Sequence, residues 1–453
     1  MEQETDFDVI VLGAGFAGVT AARELKNNGH KVAVLEARDR IGGRAWTSDL
    51  DGHKVELGCT WIHWFQPYVW AEFVRSGLKL HEDPWLPPLT IWVDGKPQDI
   101  EFREFRAILQ SAWKKFAGDT PDGPRMDRPY SLEAIAEAEE LDTLSVQDVL
   151  DRMGLSPLEK AAFAAEVSAQ TNAPLDQSGY LSQLRWWSIS GWDIGLMIDC
   201  LARYKVDSGV TSLITYMAER ANLDIRLNSP VADVVQDERG VTATTRDGRR
   251  FTAKKLVCAV PMNCLKNIRF TPALAQDKLV LSHEEHAAKG MKVLFRTEGE
   301  ATGHAVIAPP GTPLSLLNPI RVEGETRIYV GFGTDGAAFD PKNLDEVNAV
   351  LASLHPELKA VSTTGHDWAN DEFSLGTWHM ARPTQNVRIA KAFKTPDGHV
   401  HFAGDYLGRN WVGFMDGAIE SGLLTADKVE TEMRSASNPT SSRRFKAPPG
   451  LTG

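Results

Sequence analysis

Lys292 stands in Lys289-Gly290-Met291-Lys292-Val293-Leu294-Phe295, an apolar strand-like run in which a solvated lysine is out of place. A buried ammonium is costly, so its presence there argues for a function. The alternative is an edge-strand lysine whose stem snorkels to solvent. Near the start of the chain, Gly13-Ala14-Gly15-Phe16-Ala17-Gly18 has the spacing of a turn that cradles a dinucleotide phosphate. Gly13 permits the tight turn, Gly15 lets backbone approach a pyrophosphate, and Gly18 packs helix on strand. The helix that follows aims its free N–H groups at the anion. Glu36 comes where a carboxylate can take both ribose hydroxyls and reject a 2′-phosphate. No Ser–His–Asp set, paired-carboxylate acid/base set or metal-ligand cluster competes for the chemistry.

These residues need particular elements to hold them. Asp8 to Leu12 reads as a strand buried on both faces, Val19 to Asn27 as a helix ending at Gly29, and Lys31 to Leu35 as a second strand. Together they form a minimal βαβ unit. From about Glu72 to Tyr204 the pattern turns helical, at Arg103 to Phe116, Leu132 to Glu140, Val146 to Met153 and Pro157 to Gln170. A helix over Ser208 to Arg220 then leads to strands at Asp224 to Leu227, Val231 to Gln236, Val241 to Thr245 and Lys255 to Val260. The turn Asp247-Gly248 closes a hairpin among them. Met291 to Arg296, Thr326 to Gly333 and Ser362 to Trp368 suggest a second sheet, with a helix near Leu344 to Leu354. His399 to Phe402 is a further buried strand before a closing helix at about Val412 to Met433. The fold class expected is α/β: a Rossmann-type domain (1–80, 205–270 and 398–434) interleaved with a domain of mixed sheet plus helices (81–204 and 271–397). Residues 435–453 read as a disordered tail.

At 453 residues, 42% of them hydrophobic and 24% charged, the chain suits two folded domains. The net charge of -12 disfavours a nucleic-acid partner. It mildly favours a cationic ligand, although an acidic surface is also ordinary solubility. Cys59, Cys200, Cys258 and Cys264 lack zinc-type spacing and read as structural thiols. No stretch approaches a transmembrane span and the acidic N-terminus is unlike a signal peptide, so a cytoplasmic location is expected.

Longer motifs add a resemblance. Glu36-Ala37-Arg38-Asp39-Arg40-Ile41-Gly42-Gly43-Arg44 resembles the E-A-R-x-R-x-G-G-R signature of the flavin monoamine oxidase family. Glu56-Leu57-Gly58-Cys59-Thr60-Trp61 resembles its E-L-G-x-x-W stretch. His401-Phe402-Ala403-Gly404-Asp405, with Trp411 and the run from Met415 to Gly422, resembles its C-terminal signature. The family likeness spans residues 8 to 422 and implies an FAD site. Gly13, Ala14, Gly15, Ala17, Gly18, Glu36, Arg38, Gly42, Gly43 and Arg44 would hold the adenosine and diphosphate. Gly58, Cys59, Thr60 and Trp61 would run along the flavin. Val231 would meet the adenine, and Gly404, Asp405 and Met415 the ribityl and pyrimidine end. Thr377 occupies the position where relatives with covalent flavin carry cysteine, which implies non-covalent FAD.

By the same resemblance, Lys292 is the lysine held through a water at flavin N5, and Trp378 and Phe414 are the two walls of an aromatic cage. Core packing is the alternative for either ring alone. A neutral amine between them would pass hydride equivalents to N5 and leave as an imine or iminium, with O2 reoxidising the flavin to give hydrogen peroxide. His63, Trp64 and Trp411 are candidate pocket residues. The stretches Trp61 to Glu72 and Asp367 to Gly376 resemble nicotine oxidoreductase-like members, pointing to an apolar amine, heterocyclic or aromatic among the options, and away from a polyamine. Phe414 departs from that branch, which has a polar residue there. Implied partners are the amine and O2 or another acceptor, and a homodimer is left open. Two other readings stay open: an L-amino-acid oxidase or FAD-dependent desaturase, whose carboxylate clamp would be Arg185, Arg203 or Arg382, and a non-catalytic binder on the FAD fold.

Overall fold

The computed structural model describes residues 5–83, 87–118, 126, 130, 132, 137–298, 303–309 and 311–437. Residues 133–136 of the expected helix at Leu132 to Glu140, and the tail beyond residue 437, lie outside them. Two large sheets organise the described chain. The first has eight strands and is centred on Phe7–Leu12, whose Val9, Ile10 and Val11 are wholly buried. This strand pairs in parallel with Val32–Leu35 on one side and Arg250–Cys258 on the other. Its apolar side chains face both ways because helices cover one face and further chain covers the other. Asp224–Arg226 extends the sheet beyond Val32–Leu35. Val231–Asp237 and Gly240–Thr245 join Arg250–Cys258 in antiparallel order, through the expected turn at Asp247-Gly248. Val400–Phe402 adds to the C-terminal end of Arg250–Cys258. Helix Phe16–Asn27 packs on the sheet and on the closing helix Met415–Ser437.

The second sheet has seven strands, mainly antiparallel. Met291–Thr297, the lysine strand, lies between Thr326–Gly333 and Ala360–Gly365. Leu316–Glu323, Ala305–Ile307 and the hairpin Leu89–Val93 with Lys96–Ile100 complete it. The hairpin is a departure from the sequence reading, which assigned this region to the helical block. Helices Phe102–Phe116, Pro157–Thr171, Tyr180–Ile189 and Ile194–Ala202 supply that block. Pro157–Thr171 starts with a full capping box on Ser156 and Glu159, and Pro157 sits in its first turn where no N–H is needed. Its apolar residues belong to a core shared with Trp113, Trp187 and Leu184. Among the described residues no helix is long and apolar enough to cross a membrane.

Candidate active site

One long cavity of about 320 Å³ runs between the two sheets. Its walls include Glu36, Arg38 and Val231, the turn residues Gly13, Gly15, Ala17, Gly42, Gly43 and Arg44, and also Trp378, Phe414 and Lys292. Gly58, Cys59, Thr60, Trp61, Gly404, Asp405 and Met415 also line it. Segments hundreds of residues apart in sequence therefore meet on one surface.

The glycine turn is built for close approach. A Cβ on Gly18 would lie 2.0 Å from the Gly13 carbonyl oxygen, so helix and turn touch backbone to backbone. Gly42 has φ +103, and a Cβ there would sit 2.4 Å from the Ala45 carbonyl oxygen. Gly15 and Gly43 differ in kind: a Cβ on either meets only one backbone atom, at 3.8 and 3.7 Å, and would project beside open cavity. Gly15 is the N-cap of Phe16–Asn27 and provides no side-chain cap, and the first turn carries no acidic residue. The leading N–H groups of that helix are thus left for an anion. Glu36 is buried, its carboxylate fixed by N–H groups of Ala14 at 2.7 Å and Arg38 at 2.9 Å. A glycine cradle, an uncapped helix start and an anchored carboxylate fit the diphosphate and ribose of FAD.

Ala14 and Gly18 are outside the cavity walls: Ala14 orients Glu36, and Gly18 sets helix against turn. Arg38 reaches Asp371 and Ser374 and lies over the Phe373 ring. Arg44 donates to Asp405 at 2.7 Å and to the Thr377 carbonyl, joining both signature halves to the Trp378 loop. Burial works against the Asp405 carboxylate, yet Arg44 holds it below the usual range.

Lys292 is 3% exposed. Its ammonium donates to the Gly58 carbonyl at 2.7 Å and the Thr60 hydroxyl at 2.6 Å, with the Trp61 and Phe332 rings within 6 Å of it. Two of three donors are satisfied by protein, and the group faces the cavity. The snorkelling alternative is excluded, because Met291–Thr297 is paired on both sides and Lys292 points inward. Burial pulls this ammonium down to about 8, against the pull of Glu56, which burial raises in turn. Trp61 is steadied by Asp83, which takes its indole N–H at 2.8 Å and pairs with buried Lys205.

Trp378 donates its indole N–H to the Gln170 carbonyl at 2.9 Å. Phe414 is wedged edge-on against Trp186 and Trp411, with ring centroids 4.9 and 5.0 Å away. Trp411 lies behind Phe414 and outside the cavity, donating to the Phe65 carbonyl at 2.7 Å. His63 and Trp64, expected at the pocket, also lie outside its walls. After Trp61 the chain is drawn away by the Ile62 N–H bond to the Tyr204 carbonyl. His63 stacks on Trp64, accepts the Phe65 N–H and is pulled down to about 4 by burial, while Trp64 is 46% exposed. Sequence reasoning missed Glu166, Gln170, Asn318 and Phe332, all of which line the cavity. For Glu166 a signal existed, a lone charge within Ala161-Ala162-Phe163-Ala164-Ala165-Glu166-Val167.

The sequence pattern of flavin-containing amine oxidoreductases matches residues 16–430. The chain belongs to this family. Amine oxidoreductases of this kind use FAD, and Thr377 in place of cysteine agrees with a non-covalent cofactor. The chain is 34% identical to pseudooxynicotine dehydrogenase of a Pseudomonas species, covering 96% of this chain and 88% of that protein. It is 32% identical to nicotine dehydrogenase of Pseudomonas putida (94% and 88%) and 28% identical to (S)-6-hydroxynicotine oxidase of Paenarthrobacter nicotinovorans (93% and 99%). In fold it is similar to putrescine oxidase bound to putrescine, with TM-score 0.80 at 23% identity, covering 94% of this chain and 99% of that one. Cyclohexylamine oxidase from Brevibacterium oxydans gives TM-score 0.79 at 22% identity, covering 95% and 100%. This amine oxidoreductase carries none of its three candidate carboxylate clamps in the cavity walls. Arg185 donates to the Arg409 carbonyl, Arg203 pairs with Glu82 and Asp199, and Arg382 bonds Gln177 and the Glu285 carbonyl.

Proposed function

We propose that this enzyme oxidises an apolar amine at the carbon next to nitrogen, giving an imine or iminium that water hydrolyses. The observation that supports the reading is the single cavity whose walls include Lys292, Trp378 and Phe414 as well as Glu36 and the glycine turn. Residues 1–80, 205–270 and 398–434 would hold the cofactor, and 81–204 with 271–397 the substrate. When bound, FAD would take the hydride equivalent, and O2 would reclaim the electrons as hydrogen peroxide. The protein's own part is positional. Trp378, pinned by Gln170, and Phe414, pinned by Trp186 and Trp411, would be the two faces that align a neutral amine and exclude water. Lys292 holds a proton-bearing group at the wall formed by Gly58 and Thr60. The placement of Arg185, Arg203 and Arg382 away from the walls disfavours the amino-acid oxidase reading.

The test is flavin bleaching under anaerobic conditions, with peroxide release in air, over primary, secondary and tertiary amines, polyamines and amino acids. Bleaching by amines with an apolar body, with stoichiometric peroxide, is expected. Bleaching by amino acids alone would overturn the assignment, and protein purified without flavin absorbance would revive the non-catalytic reading.

A further inference from the structure

Helix Pro157–Thr171 brings two acceptor groups to the cavity wall. Gln170 holds Trp378 through its backbone carbonyl, and its side-chain amide donates to Glu166 Oε1 at 3.0 Å. That leaves Gln170 Oε1 without a partner, although the residue is only 9% exposed. Glu166 makes its one hydrogen bond to Gln170, and no lysine or arginine among the described residues pairs with it. A half-buried carboxylate without a counter-ion is disfavoured, as is an unpaired buried amide oxygen. Both belong to the substrate cavity, and both call for a donor. Their position is set by the helix: Glu166 is four residues before Gln170 on the same face, about 6 Å further along the axis from the Trp378 anchor.

We infer that Glu166 and Gln170 form a distal subsite for a second, protonated nitrogen of the substrate, beyond the aromatic slot. This rests on the amine-oxidase reading and sharpens it: the substrate has an apolar body, one nitrogen at the oxidised carbon, and a second cationic nitrogen at the other end. The ammonium supplies the counter-ion that the protein omits and fills the vacant Gln170 acceptor.

The test uses the FAD-loaded enzyme and N-methylalkylamines of three to eight carbons, matched in pairs ending in methyl or in ammonium. Flavin bleaching gives kcat/KM for each. In the wild type the ammonium-ended member of the best-fitting length should be preferred by about tenfold or more, the worth of one charged hydrogen bond. Glu166→Gln, which keeps shape and removes charge, should bring the pair to within about twofold; Glu166→Leu should reverse the preference. FAD content and melting temperature report folding of each variant. Preference for the methyl-ended probes in the wild type, or an unchanged preference in Glu166→Gln, overturns the subsite alone. If no amine of either kind bleaches the flavin, the amine-oxidase reading falls and takes the subsite with it.

Discussion

Alanine at Gly15 and alanine at Gly18 add the same methyl group three residues apart, with opposite expected consequences. At Gly18 the methyl carbon falls 2.0 Å from the Gly13 carbonyl oxygen and 3.3 Å from Ala259 Cβ. The first is about 1.4 Å short of ordinary contact and is backbone against backbone, so the turn or the helix must move. Overpacking of this kind costs about 1–3 kcal/mol, and for a chain of this length Gly18→Ala should lower the melting temperature of the apoprotein by about 1–3 °C. At Gly15 the nearest atom is the Gly42 carbonyl oxygen at 3.8 Å, and φ is −78°, a conformation alanine adopts freely. The apoprotein should lose no more than about 1 kcal/mol, the usual difference between glycine and alanine at an N-cap. Its methyl group does, however, stand where a diphosphate must approach the helix. Losing one N–H bond to phosphate, worth about 1.5–3 kcal/mol, should weaken FAD by at least about tenfold, and losing two by about a hundredfold or more. Melting of stripped protein, with FAD titration by flavin fluorescence quenching, separates the two effects. Unchanged FAD affinity in Gly15→Ala, or an apoprotein of Gly18→Ala that melts like wild type, would refute the geometry of the cradle.

Lys292→Met should retain FAD but slow its reoxidation by O2, by about tenfold or more if the charge assists. Because burial brings Lys292 to about 8, the wild-type rate should fall as pH rises through that value while the Met profile stays flat; superimposable profiles would remove the role. Burial pushes Asp371 up, but His366 and Arg38 outweigh it and hold the carboxyl at about 2. Its contribution to stability is therefore fully present above the unfolded carboxyl value of 3.8 and lost as pH falls through about 2. Acid melting curves of Asp371→Asn should lack that component; a curve parallel to wild type from pH 5 downward would contradict it. Trp378→Phe keeps an aromatic face and loses the 2.9 Å bond to Gln170. It should cost about 1 kcal/mol, or five- to tenfold in kcat/KM, and equal kcat/KM would show that the anchor does not matter.

The parts of this molecule that were legible in its sequence are those where local pattern and final environment agree. Helix Leu344–Leu354 and strand Thr326–Gly333 fall where periodicity puts them. The hairpin at residues 89–100 was hidden, although Asp94-Gly95 is a turn signal. Its second strand, Lys-Pro-Gln-Asp-Ile, is solvent-facing on most side chains and carries no apolar alternation. Leu316–Glu323 was obscured by Pro319, which removes a ladder donor and sits at a register shift. At the site, the motif residues were legible because backbone geometry constrains them: glycines, an acid at a strand end, a lysine among apolar neighbours. His63 and Trp64 show the limit, since being near Trp61 in sequence does not settle which way the chain turns. Glu166 left a signal, a lone charge in an apolar run, that does not by itself point to a cavity. A single glutamate in a helix is ordinarily a solvated one, and only the tertiary fold puts this position on the cavity wall.

The end of helix Pro157–Thr171 ties these features into one arrangement. Asn172 caps it in a left-handed conformation, φ +51, which any longer branched residue would resist. From there its side chain donates to the carbonyls of Met291 and Gly333, and its own carbonyl accepts the Gly290 N–H. The lysine strand is thus set by the residue immediately after the helix, while Trp378 is set by Gln170 two residues earlier, and Glu166 lies one turn before that. A displacement of this helix terminus would move the ammonium, the aromatic wall and the distal acceptors together. Asn172→Ala removes two bonds to the lysine strand and places a less tolerant residue at positive φ, a cost of about 2–4 kcal/mol. If the three groups act as one unit, this variant should lower flavin bleaching by amines and slow reoxidation in parallel. Loss of one without the other would mean that substrate and oxygen chemistry are positioned by separate parts of the fold.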